Sequence, residues 1–164
     1  MSAKSFNFLP EVTNSSVRGD KVFKDITAVA IPILQGEKVS VKKSELVKLL
    51  TAYTKIDLTI ELANWPDFSA KAGEIIEILL LIDSLTRIYL VGIGEGVDED
   101  IRKASSALSR KVKGTQSKVL SGLVDDTKQI DTHVAALILA NYQFSMKSEK
   151  KSKKPSFVIY GDLS

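Results

Sequence analysis

Five stretches of the chain are short, rich in β-branched residues and almost continuously apolar: residues 26–34 (ITAVAIPIL), 75–82 (IIEILLLI), 87–93 (RIYLVGI), 118–124 (KVLSGLV) and 156–160 (SFVIY). Runs of this length, bounded by Gly, Asp, Ser or Pro, predict strands, and near-continuous apolarity predicts burial on both sheet faces. Pro32 has no N–H to give to a ladder, so the first run is expected to be an edge strand or to carry an irregularity at that point. Between the runs the apolar period lengthens to that of a helix. Ser44 stands as a cap before Leu46, Val47 and Leu50, and Asp98 before a stripe of Ile101, Ala104, Leu108 and Val112 whose far side carries Arg102, Lys103 and Arg110. A third helix is expected to open at Asp131 (DTHVAALILANYQF), apolar around so much of its circumference that it belongs in the middle of the protein. Residues 10–21 and 62–73 read as turn-rich, irregular loops.

Strands alternating with helices predict an α/β sandwich with a mainly parallel sheet, in which the helix at 98–113 makes a right-handed crossover from 87–93 to 118–124. A length of 164 residues and an apolar share of 44% suit one domain over residues 1–164. No apolar run approaches the length of a membrane span, and the amino terminus MSAKSFNFLPEV lacks the apolar block of a signal peptide. With no cysteine there is no disulfide framework and no thiolate zinc site. The expectation is a soluble, cytoplasmic protein with no membrane partner.

Charge changes this picture only locally. The formal net charge is +3, far from the dense basic surface of a dedicated nucleic-acid binder. Its excess lies in KSEKKSKK, where Lys147, Lys150, Lys151, Lys153 and Lys154 face one glutamate and no aromatic. Such a segment could neutralise phosphates but could not stack bases. A solvated connection before the last strand is the plainer reading, and a nucleic-acid partner is not expected.

The stretch VGIGEGVDED, where a strand end runs through Gly92, Gly94 and Gly96 into a helix, is the natural candidate for an anion-binding turn. Its spacing matches neither a dinucleotide-binding fingerprint nor a P-loop. Glu95, Asp98, Glu99 and Asp100 crowd the place where a phosphate would sit. His133 is the sole histidine, which removes a two-histidine metal site and a conventional triad; within an apolar helix it is expected to bond a backbone carbonyl. The acid pairs Asp125–Asp126 and Asp98–Asp100 fall where helix starts attract carboxylates anyway. No catalytic or metal-binding residue is assigned in this chain.

Several segments, taken in order, resemble one known domain. The turn Phe68-Ser69-Ala70-Lys71-Ala72-Gly73-Glu74, the strand RIYLVGIG at 87–94, Ile101-Arg102-Lys103-Ala104, and AALILANYQF at 135–144 followed by Lys147-Ser148 are similar in sequence and spacing to the amino-terminal domain of the leucyl (cytosol) aminopeptidases. The resemblance covers residues 20–162. Ala70 stands where many members have glycine, and the aromatic that usually precedes the basic-Ser pair is absent before Lys147-Ser148. The resemblance implies a macro-domain-like three-layer α/β sandwich with a mixed, mainly parallel sheet flanked by helices. It also implies a non-catalytic role in assembly and active-site access, beside a carboxy-terminal catalytic domain that this chain lacks. That domain would hold two divalent metals, zinc or manganese, and the whole protein would be a hexameric hydrolase of peptide amino termini. Two other readings remain: a stand-alone macro-like module for ADP-ribose or another nucleotide, and a DNA-contacting accessory domain.

Overall fold

The computed structural model describes residues 10–15, 19–145 and 153–160. Its strands are β1 (Glu11–Ser15), β2 (Ala28–Leu34), β3 (Ser40–Val41), β4 (Ile75–Ile82), β5 (Leu85–Gly92), β6 (Lys118–Ser121) and β7 (Ser156–Tyr160). The α-helices are α1 (Glu45–Thr54), α2 (Leu58–Ala63), α3 (Asp98–Val112) and α4 (Thr127–Ser145), with a 3-10 turn at Gly19–Phe23. The strands form one seven-stranded sheet in the order β1-β7-β6-β2-β5-β4, with β3 beside the far end of β2. Pairing is parallel from β1 through β5, and antiparallel where β4 meets β5 and β3 meets β2.

Side chains alternate cleanly between two cores. From β2, Val29, Ile31 and Ile33 point to the face covered by α1 and α2 through Leu46, Leu50, Leu58 and Leu62. Ala28 and Ala30 point to the opposite face, where α3 and α4 supply Ile101, Ala104, Leu108, Val112 and Leu137. Neighbouring β5 splits the same way, Ile88 and Leu90 against Tyr89 and Val91. The result is the expected three-layer sandwich, its central strands apolar on both faces because both are covered.

Pro32 lies in an internal strand, so the edge expectation is corrected, and the irregularity is found instead. The β6 pairing of β2 ends at Ala30↔Ser121, and the β3 pairing begins at Ile33↔Val41. The carbonyl of Pro32 accepts from Lys42 N at 3.1 Å, so its nitrogen faces the same side, in the gap where one partner strand has stopped and the next begins. The missing donor costs no ladder bond there.

Two helix starts differ from expectation. Val97 rather than Asp98 occupies the cap of α3, with no side-chain cap bond. Helix α4 begins at Thr127 rather than Asp131, because Asp126 Oδ1 accepts from Lys128 N at 2.9 Å and satisfies the first turn. Within 10–21, expected as loop, β1 pairs with β7, and α2 and β3 were not anticipated from the sequence.

Candidate functional site

The glycine turn follows directly from β5. Gly92 sits so close to the neighbouring 68–74 turn that a Cβ would come within 2.6 Å of the Ala70 carbonyl carbon and closer still to the Lys71 oxygen. Its N–H bonds Glu74 O at 2.7 Å, and its carbonyl accepts from Gly73 N at 3.0 Å. Gly94, at φ +57, donates to Ala70 O at 3.0 Å and accepts from Gln35 N at 2.9 Å. Gly96 N closes on Ile93 O at 2.8 Å. The N–H groups of the three glycines are therefore all engaged by backbone carbonyls.

Carboxylates occupy the remaining space. Asp100 Oδ2 accepts from Glu95 N at 3.0 Å, folding the acid back over the turn. From α4, Gln129 Nε2 donates to Gly96 O at 2.9 Å and to Asp98 Oδ1 at 3.1 Å, tying the turn to the next helix. Glu99 pairs with Arg102, whose guanidinium holds the Glu99 carboxyl below its ordinary range. The facing 68–74 turn is braced by Ser69 Oγ donating to Glu74, whose Oε1 also accepts from Lys71 N at 3.0 Å.

His133 is fully buried between α3, β6 and α4. Its Nδ1 lies 2.6 Å from Ser105 Oγ and its Nε2 2.9 Å from Ser121 Oγ. The expected carbonyl partner is thus replaced by two hydroxyls, either of which can donate or accept. Burial lowers its pKa from 6.5 to about 4, so the ring is neutral near pH 7. Among the described residues its hydrogen-bond partners are these two serines, and the ring has no exposed surface. The same helix pair carries a second buried polar link: Ser109 Oγ donates to Leu137 O at 2.6 Å, and Asn141 Nδ2 donates to Ser109 O at 3.3 Å.

The acid pairs are separated in role. Asp125 Oδ1 lies 3.2 Å from Lys42 Nζ, while Asp126 caps α4. Among the described residues no three His, Asp or Glu side chains gather where they could share a metal ion. The two divalent ions that the resemblance implies therefore have no ligand set among those residues. Of the basic segment, Lys153 and Lys154 are exposed just ahead of β7; Lys147, Lys150 and Lys151 lie outside the described residues.

One feature that periodicity could not reveal is a crevice of about 250 Å³ at the carboxyl ends of the central strands, between the starts of α1 and α4. Its walls come from positions far apart in the chain.

Residues 23–151 match the cytosol aminopeptidase family, N-terminal domain. A probable cytosol aminopeptidase of Prochlorococcus marinus is 32% identical over 95 residues, covering 56% of this chain and 18% of that protein. Among solved structures, the bottromycin maturation enzyme BotP superposes with a TM-score of 0.57 at 14% identity, covering 84% of this chain and 28% of that one. The same enzyme in complex with Mn gives a TM-score of 0.52 at 14% identity, over 82% of this chain and 26% of that one. At that identity the likeness is one of fold. The chain spans less than a third of the length of these relatives.

Proposed function

The chain belongs to the cytosol aminopeptidase family as its N-terminal domain, and from that premise we propose that it is the non-catalytic partner of a dimetal leucyl aminopeptidase catalytic domain. In this reading it packs beside that domain, shapes access to the active site and contributes to a homo-hexamer. The whole protein removes amino-terminal residues from peptides in the cytoplasm, with zinc or manganese held by the catalytic domain. The internal pairing of the Gly92, Gly94 and Gly96 N–H groups supports a structural turn over a nucleotide-phosphate site.

The observation that carries an assembly role is strand β4. It is one of the two sheet edges, and Leu79 and Leu81 on it are 69% and 81% exposed. A long apolar edge strand left bare invites pairing with other chains, and proteins normally cover or charge such an edge. Ile76, Ile78 and Leu80 face the α1 and α2 layer, which leaves Leu79 and Leu81 for an outside partner.

The test is co-expression with the aminopeptidase catalytic domain of the same organism, followed by size-exclusion chromatography. Wild type is expected to co-elute with that domain as a large assembly. Leu79→Ser with Leu81→Ser is expected to elute alone while keeping the wild-type circular dichroism spectrum. Co-elution undiminished in the double variant would remove β4 from the interface, and no co-elution of wild type would remove the assembly role.

A further inference from the structure

Strands β2 and β6 lie side by side, and their onward connections leave toward opposite edges of the sheet. From β2 the chain runs through β3, α1 and α2 to β4 and β5; from β6 it runs through α4 to β7. The two connections also cover opposite faces, α1 against one core and α4 against the other. Where neighbouring parallel strands part in this way, the loops at their carboxyl ends separate and leave an opening, the usual ligand crevice of open α/β sheets. Here the opening is the crevice of about 250 Å³.

Its floor and its rim differ in chemistry. Leu46 and Val124, both buried, form the floor with the half-buried Ile130 and Tyr160. Around the mouth stand the exposed Lys43, Glu45 and Asp125. Lys42 Nζ reaches Asp125 Oδ1 at 3.2 Å and links the lip before α1 to the lip before α4. Gly122 lets those lips approach, since a Cβ there would stand 2.7 Å from Leu46 Cδ2.

The electrostatics select the ligand. The charged residues lining the crevice are Lys43, Glu45 and Asp125, so its mouth presents both signs, with Asp125 also held by Lys42 from outside. The amino ends of α1 and α4 flank the same space, but the Ser44 hydroxyl and the Asp126 carboxylate already cap them, so Lys43 is the lining cation that an anionic group would meet. A phosphate or nucleotide would meet two carboxylates with too little cation to offset them. A purely apolar ligand would leave the charged rim facing an unpaired surface. The volume lies below the roughly 300–1,000 Å³ of sites that enclose larger ligands.

We propose that this crevice binds a free α-amino acid with an apolar side chain. Its carboxylate lies toward Lys43, its ammonium toward Glu45 and Asp125, and its alkyl group over Leu46, Val124 and Ile130. The site is formed within this chain alone, so it stands or falls independently of the assembly role.

The test is an amide proton–nitrogen correlation titration of the chain with L-leucine, with leucinamide, 4-methylpentanoate and inorganic phosphate as comparison probes. L-leucine is expected to shift the amides of Gly122, Val124 and Thr127 saturably, with a dissociation constant of about 1 mM, as suits a ligand of so few atoms. Leucinamide lacks the carboxylate and 4-methylpentanoate lacks the ammonium, so each is expected to bind about tenfold or more weakly. Lys43→Ala, at an exposed position, weakens leucine by about fivefold or more through the lost charge-assisted bond. Ile130→Trp fills the crevice and abolishes the response. Linear, scattered shifts with leucine overturn the proposal. So does leucine binding unchanged in Lys43→Ala, whether or not Ile130→Trp folds. Saturation of the same amides by phosphate at equal or lower concentration replaces the amino acid with an anion and likewise overturns it.

Discussion

At the scale of single residues, the glycine segment shows why two glycines in one turn are held for different reasons. At Gly92 the obstacle is backbone: a Cβ would lie 2.6 Å from the Ala70 carbonyl carbon, and neither the β5 end nor the 68–74 turn can retreat without losing the bonds that join them. At Gly94 the obstacle is the end of a side chain, Asp100 Oδ2 at 2.9 Å, together with φ +57. Gly92→Ala should therefore cost about 3 kcal/mol, as overpacking against fixed atoms does, and Gly94→Ala about 1 kcal/mol for the left-handed backbone. Urea unfolding of the two variants against wild type measures both, and equal costs would contradict the distinction. The glycines and acids of this turn were legible in the sequence, but which N–H groups they consume was not, because the partners Ala70 and Glu74 reach the turn only through the fold. Ala70 itself is a case in point. It is buried at φ +59, a conformation glycine adopts without cost, so the glycine that the resemblance leads one to expect there would sit without strain.

At the scale of elements, legibility followed apolar periodicity. Strands β4 and β7 match their predicted ranges because each is a bounded apolar run. Strand β1 (EVTNS) contains one apolar residue and lies mostly exposed at the sheet edge, so no hydrophobic pattern marks it. Helix α2, six residues long, shows only Leu58 and Leu62 as buried positions, too few to establish a period. The joint between α3, β6 and α4 was equally hidden, since Ser105, Ser121 and His133 meet only in the folded chain. It has a pH signature. The folded-state pKa of His133 lies at about 4 against an ordinary 6.5, so between those values the unfolded chain binds a proton that the folded chain refuses. Stability from this residue is thus fully present above pH 6.5 and falls as pH drops toward 4. The loss is about 2 kcal/mol by pH 5 and about 3 kcal/mol by pH 4. His133→Gln should be less stable at pH 7 yet lose that extra slope. Urea midpoints at pH 7 and pH 5 give the comparison; parallel pH profiles for wild type and variant would show that His133 is not what titrates.

At the scale of the whole molecule, the sandwich and the family were legible because the order of motifs is a property of the entire chain. The crevice was not, because its walls come from three segments far apart in the chain that meet only at the ends of neighbouring strands. Charge is the remaining whole-molecule property, and it decides between an assembly domain and a DNA-contacting one. A net +3 gives little long-range attraction to a polyanion. Lys153 and Lys154 are exposed next to β7, and together with Lys147, Lys150 and Lys151 they are the densest run of positive charge in the sequence. If all five met phosphates, the logarithm of the association constant would fall with the logarithm of salt at a slope of about −4 to −5, from counterion release. The segment has no aromatic to stack on a base and no Arg, Asn or Gln to read a base edge, so nothing would hold the complex once salt screened the lysines. The expected outcome is weak, sequence-indifferent binding, with a dissociation constant no tighter than about 10⁻⁶ M at physiological salt. Gel-shift titrations at low and physiological salt, comparing wild type with a variant in which the five lysines are changed to serine, give the answer. Submicromolar binding at physiological salt that disappears in the variant would make nucleic acid a true partner and turn the basic segment from a solvated connection into an interface.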